Sequence, residues 1–414
     1  MQSPEDALLD VQGSTRPHSA ERIGSLLLIA NLGWAVPSVA GATLLQALVA
    51  DIDPEQKIAF YGVLSTLGAV CAGIGMIVTG ILSDRTRGTL GKRKPWILGG
   101  GLLASASLSA VALTDAKPVI LILFALYSLG QSAMHSALFA LTPDLVERER
   151  YGRASGLAGL GLLLGQTLGS FAAASFLTLP TLGLGLLPWL TGLVAIVLTI
   201  KLPSGTVGST PSELPLATLK AALKIPKDRD FWYAFVGRFL FLLAFYLILS
   251  YHFYVLTDYF GVAEKDVGRV FASLTLIFAA GAALCVALSG TYSDRIGRRK
   301  PLVVASSALL AVAVVFPAAS NHLASLYVFF GLAGVAFGTY LAVDQALMAD
   351  ILPERGNAAR DLSVLNLANS LPHVVAPGVA GLIATTSGYA GIFVIACLAS
   401  LLSGAAVQAI KSIR

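Results

Sequence analysis

Twelve apolar runs, each long enough to cross a bilayer, constrain this 414-residue chain more than any other feature. They lie near 23–49, 58–82, 96–113, 118–142, 154–177 and 181–200, then near 231–257, 267–292, 302–319, 323–349, 362–386 and 388–410. A hydrocarbon core of about 30 Å takes ~20 helical residues. The runs are continuous and rich in Leu, Ala and Gly instead of alternating in ~10-residue strands, and lipid forces each segment to satisfy its own backbone polar groups, so helices are the spanning form. At 56% hydrophobic and 12% charged residues the chain is too apolar for a soluble domain of this length. The expected fold class is an all-α membrane protein with twelve transmembrane helices.

Lysine and arginine are retained on the cytoplasmic side of a membrane. With both termini cytoplasmic, 23 of the 28 basic residues fall in cytoplasmic segments, leaving Lys57, Lys117, Lys265 and Arg269 outside and Arg238 within a span. This split accounts for the net charge of +5 without a nucleic-acid partner. The first twenty residues are polar, include Pro17 and mix acids with bases, so the first helix itself is expected to act as the anchor signal. Cys71, Cys285 and Cys397 lie in apolar runs at no metal-ligand spacing, so neither a metal nor a disulfide framework is expected.

A phrase occurs twice in the chain. Gly80-Ile81-Leu82-Ser83-Asp84-Arg85 runs on to Gly91-Lys92-Arg93-Lys94-Pro95, and Gly290-Thr291-Tyr292-Ser293-Asp294-Arg295 runs on to Gly297-Arg298-Arg299-Lys300-Pro301. Asp84 and Asp294 are offset by 210 positions, Asp144 and Asp350 by 206, and the difference matches the longer first loop. Two parallel six-helix repeats follow, related by an axis along the membrane normal. The expected divisions are a cytoplasmic segment over 1–22, a bundle over 23–200, a cytoplasmic connection over 201–230, a bundle over 231–410 and a cytoplasmic end over 411–414.

The paired Gly-x-x-x-Asp-Arg loops resemble the signature of the major facilitator superfamily. The resemblance implies that Gly80, Asp84, Arg85, Gly91, Arg93, Asp294, Arg295, Arg298 and Arg299 form a cytoplasmic gate motif, a latch favouring the outward-open state. Ser83-Asp84-Arg85-Thr86-Arg87, Leu90 through Ile97 and Gly33-Trp34-Ala35 further resemble the sucrose-proton symporters and the glycoside-pentoside-hexuronide symporters. Aligned on Pro143, His135 falls where the glycoside symporters place a sugar-binding aspartate, while Ala72 and Met76 stand where sodium-coupled members keep carboxylates. Protons are therefore the expected coupling ion.

Charges deep in a bilayer cost ~2.5–3.5 kcal/mol on insertion scales, so those present point to function. Asp344 is the carboxylate nearest the middle of an apolar run and the leading proton-coupling candidate, with a fixed pair to Arg238 as the alternative. His135 is a second candidate for carrying a proton, because imidazole titrates near neutrality; a buried structural role is its alternative. Asn31, Trp34, Gln131, His135, Gln166, Tyr246, Asn366, Asn369 and His373 form the candidate substrate-binding set, with Gln46 and His252 filling out the polar groups expected around the cavity. Each alone reads equally as helix-helix glue. Gly161, Gly165 and Gly169 make a smooth stripe suited to close packing, and Pro372 and Pro377 suit a bent eleventh helix.

The expectation is a multi-pass transporter of the plasma membrane, in a bacterium the inner membrane, working as a monomer by alternating access. Proton-coupled symport of a sugar or glycoside is the leading activity, and proton-driven export of a drug or amphiphilic natural product is the alternative. With no nucleophile-base pair and no clustered metal ligands, the chain is not expected to be an enzyme or to hold a cofactor.

Overall fold

The computed structural model describes residues 20–88, 90–146, 151–202, 228–296, 299–351 and 358–411. Most of the expected segment 1–22 and of the connection 201–230 therefore lies outside the described residues. The chain is all helical there. The first half contains α1 (Ala20–Ile52), α2 (Lys57–Arg85), α3 (Lys94–Val111), α4 (Lys117–Leu145), α5 (Tyr151–Phe176) and α6, which is split into Pro180–Leu186 and Trp189–Lys201. The second half contains α7 (Arg229–Ser250), α8 (Glu264–Ile296), α9 (Lys300–Ala319), α10 (Leu323–Ile351), α11 (358–387) and α12 (389–408). Among the described residues, ten segments are long and apolar enough to cross a membrane, the last of them, Leu371–Gln408, containing the junction of α11 and α12.

Local chemistry sets the element ends. Both α3 and α9 begin with a proline in the first turn, Pro95 and Pro301, where a missing N–H costs nothing. The carboxylate of Asp228 caps α7 by accepting from the Asp230 N–H. Gly388 sits at φ 73° and ψ 178°, a conformation that favours glycine, and turns the chain directly from α11 into α12. The apolar runs suggest single helices over 181–200 and 231–257, but the structure interrupts both. Pro188, which has no N–H to donate, stands at the interruption of α6. Beyond Tyr251 the chain resumes as a short helix, His252–Tyr254, and a π-turn, Val255–Tyr259.

The two halves repeat their packing. α1 packs on α5 and α7 on the α11–α12 segment, while α2 with α4 corresponds to α8 with α10, and α3 with α4 to α9 with α10. The glycine stripe belongs to the first of these pairs: a Cβ on Gly169 would come within 2.8 Å of the Val36 carbonyl oxygen, so glycine lets the α1 and α5 backbones touch. Between the halves, α2 meets α11, α5 meets α8, and the extension of α7 meets α1. These meetings gather at one end of the molecule, opposite the end of α2 that carries Asp84.

Candidate functional site

A cavity of about 150 Å³ lies in the second half among α7, α10 and α11. Arg238, Leu242 and Tyr246 of α7, Phe337, Tyr340, Leu341 and Asp344 of α10, and Asn369 and His373 of α11 form its wall. The Arg238 Nε lies 3.1 Å from Asp344 Oδ2, with the two residues only 3% and 2% exposed. Buried ions survive when paired, because desolvating either alone is costly. Tyr340, one turn before Asp344, stacks on Phe241 with centroids 3.9 Å apart. The Tyr246 and His373 rings meet at 3.6 Å. The structure thus brings Arg238, Tyr246, Asn369, His373 and Asp344 to one wall and adds Tyr340, which the sequence reading passed over. The signal available was its spacing of four from Asp344, which puts both on one helix face.

A second group forms in the first half. The Trp34 indole N–H donates to Asn31 Oδ1 at 3.2 Å, and the Asn31 amide donates to the Leu27 carbonyl at 2.8 Å. His135 of α4 meets the Trp34 ring with centroids 4.0 Å apart, and its Nε2 is buried without a hydrogen-bond partner. Gln131, one turn before His135, is half-buried, and Gln166 is exposed on α5. Neither belongs to the wall of the Arg238 cavity. The side chain of Asn366 lies outside the described residues.

Gln46 and His252 belong to neither group, which corrects their expected place around the cavity. They close one end of the cleft between the halves. Leaving its helical path at Tyr251, α7 frees the Leu249 carbonyl and the Phe253 N–H, which a regular helix would pair. His252 Nδ1 donates to that carbonyl at 3.0 Å, and Gln46 Oε1 of α1 accepts from that N–H at 3.2 Å. Gln46 Nε2 also donates to the Tyr61 hydroxyl and the Ser250 carbonyl, at 3.1 and 3.2 Å, and the Tyr254 hydroxyl donates to the Gln46 carbonyl. Thr43 Oγ1 lies 2.8 Å from His252 Nε2. Since the Leu249 carbonyl can only accept, Nδ1 carries a proton, and Nε2 shares a hydrogen bond with the Thr43 hydroxyl, which also lies 3.2 Å from the Val39 carbonyl. Around this knot, Tyr61 packs edge-on against Tyr251 and Tyr254, Lys57 pairs with Asp258 at 2.9 Å, and the Tyr389 hydroxyl donates to the same carboxylate at 2.7 Å.

At the opposite end, Arg93 bridges Asp84 (2.7 Å) and Asp144 (2.9 Å) and donates to Ser83 Oγ, tying α2, the loop and α4 together. Gly91 adopts φ 81°, which explains why a glycine is needed in the loop. Gly80 lies on α2, where a Cβ would approach Ser136 Oγ to 3.3 Å, and Arg85 ends that helix. The side chains of Asp294, Arg295 and Arg298 lie outside the described residues, and Arg299 stands just before α9.

The Major Facilitator Superfamily model matches residues 23–285 and 255–411. The chain belongs to the major facilitator superfamily. No curated protein sequence matches it. Among solved structures, this superfamily member is similar to a bacterial homologue of the human lysosomal transporter Spinster. In its inward-facing, unoccupied form the TM-score is 0.69 at 16% identity, over 97% of this chain and 99% of that one. The inward-facing, occupied form gives a TM-score of 0.67 at 15% identity, over 96% and 95%. Nucleoside transporter NupG aligns with a TM-score of 0.74 at 12% identity, over 94% of this chain and 99% of that one. At such identities the likeness concerns the fold, which for this superfamily member is that of a multi-pass membrane transporter. Among the described residues no cluster of His, Cys, Asp or Glu suited to a metal ion occurs.

Proposed function

We propose that this transporter moves a small hydroxyl-bearing substrate, a sugar or glycoside, together with a proton. The observation that carries the reading is the Arg238–Asp344 pair, two opposite charges buried in the wall of a cavity. Such a pair has two settings. Ionised Asp344 holds Arg238, whereas protonated Asp344 releases it and leaves a positive charge that substrate oxygen atoms can share. Proton and substrate thereby bias the same element, which is the thermodynamic requirement for coupling.

The first half supplies a complementary face, with Trp34 suited to the apolar side of a sugar ring and His135 Nε2 available to a hydroxyl. Ala72 and Met76, where sodium-coupled glycoside symporters keep carboxylates, favour protons over sodium. The similarity to nucleoside transporter NupG brings nucleosides into the substrate class, since a ribose presents comparable hydroxyls. The positive-inside charge split supports a cytoplasmic Asp84 loop, hence an outer position for the sealed end and an inward-open state in the plasma membrane. Leu242, Phe337 and Leu341 give the cavity an apolar side and favour, as the second reading, export of an amphiphilic compound.

In proteoliposomes, an inward proton gradient is expected to drive accumulation of a sugar or nucleoside. Asp344→Asn is expected to abolish accumulation while retaining exchange of labelled for unlabelled substrate. Uptake by the unaltered protein that ignores the gradient would sink the coupling. Resistance to an amphiphilic compound on expression, without uptake of any sugar or nucleoside, would favour export.

A further inference from the structure

We infer that Tyr340 and Asp344 together read one uncharged hydroxyl group of the ligand, which makes Tyr340 a specificity-determining residue of the cavity. The inference rests on the transport reading for its setting and goes beyond it in naming the group recognised and the residue that recognises it. Tyr340 is 1% exposed and its ring is stacked flat on Phe241, the two planes inclined by only 8°. Its hydroxyl therefore has a fixed position. One turn on, Asp344 gives Oδ2 to Arg238, and the Tyr340 hydroxyl lies within electrostatic reach of that carboxylate without closing a well-formed hydrogen bond on it, so neither Oδ1 nor the hydroxyl has a partner of good geometry. Buried polar groups of native proteins find partners in the great majority of cases, so two orphaned neighbours on a cavity wall mark a place where a ligand completes the bonding.

The chemistry of the two atoms selects the partner. Tyr340 offers a proton and Asp344 Oδ1 offers a lone pair, and a hydroxyl satisfies both at once by accepting from one and donating to the other. In the paired arrangement, with Asp344 ionised, a carboxylate or phosphate would set a second negative charge beside it. An ammonium group has no lone pair with which to accept from the Tyr340 hydroxyl. A deoxy position would leave both protein groups unpaired, the situation in which sites of this kind discriminate most strongly.

The experiment is a thermal-shift and binding titration of the full-length protein in detergent, without a proton gradient. The probes are sucrose, phenyl β-glucoside and uridine, set against phenyl β-glucuronide, glucosamine and uridine monophosphate. A ligand that binds the folded state raises its melting temperature. At least one neutral probe is expected to stabilise the protein more than its charged counterparts. Tyr340→Phe is expected to weaken that probe at least about tenfold while the ligand-free melting temperature holds or rises, because the variant removes an unpaired buried hydroxyl. Stronger binding of a charged probe, no stabilisation by any neutral one, or equal binding by Tyr340→Phe overturns the inference. Because this readout involves no gradient, loss of proton coupling in the flux assay leaves it intact, and its failure leaves the coupling result standing.

Discussion

The two ends of the cleft are built from different chemistry. At the sealed end, the halves are joined by largely neutral hydrogen bonds and aromatic packing, with Gln46 at the centre of the bonds to Tyr61, Ser250, Phe253 and Tyr254. At the other end, the charged network of Arg93, Asp84 and Asp144 stays within one half. The first arrangement depends on how the halves sit against each other, while the second holds the shape of one half whatever its neighbour does. A conformational change that parts the halves at the sealed end must break the Gln46 bonds and need not disturb Arg93.

The most severe way to break this comparison is Gln46→Leu. It leaves the Phe253 N–H, the Ser250 carbonyl and the Tyr61 hydroxyl without their partner in the closed arrangement, at about 1–3 kcal/mol for each buried group and far from additively. A net loss of about 3 kcal/mol would shift the balance towards the parted arrangement of that end roughly 100-fold. The check is labelling of a cysteine placed at Thr43 by a membrane-impermeant maleimide, which should accelerate in the Gln46→Leu background. Unchanged labelling would remove Gln46 from the seal.

Arg93→Ala acts at the opposite end with a smaller effect. Its partners are partly exposed, so about 1 kcal/mol is expected, read as a lower melting temperature with the maleimide rate at Thr43 unaltered. A change in that rate would show that the two ends are energetically joined through the first half.

The smallest effect is expected at the Asp53–Lys117 pair, which joins the α1–α2 connection to the start of α4. The Lys117 ammonium donates to Asp53 and, with backbone N–H bonds from Gln56 and Glu55, holds that carboxyl below the usual carboxylate range. A carboxylate depressed in the folded state contributes stability above its unfolded value of about 3.9, and that stability fades as pH falls through the lower folded value. Melting temperatures from about pH 6 to about pH 3 should therefore decline less steeply in Lys117→Ala than in the parent protein. Identical slopes would show that the pair carries none of the acid sensitivity.

The sequence reveals much of this architecture because lipid leaves few choices. Continuous apolar runs had to be helices, and the Asp84 and Asp294 phrases located the repeat before any packing was known. Asp344 and Arg238 stood out as charges inside apolar runs, and the structure pairs them. Tyr340 did not stand out, since a tyrosine within a span reads as an interfacial or packing residue until its helix face is fixed. The break of α7 was equally illegible: no proline or glycine marks Tyr251, and the groups that replace the lost helical bond come partly from Gln46, some two hundred residues away in the other half. Gln46 and His252, expected around the cavity, instead serve backbone chemistry at the end of the cleft.

That break has a consequence for motion. The Phe253 N–H and Ser250 carbonyl are served by a side chain from the opposing half, so separating the halves strips partners from the main chain of α7 itself. Water entering the parted end must take the place of Gln46, or the strand of residues after Ser250 must wind back into register as helix. Each cycle of such a gate thus contains a small episode of refolding, and the cost of hydrating two peptide groups is part of the barrier that keeps the sealed end shut.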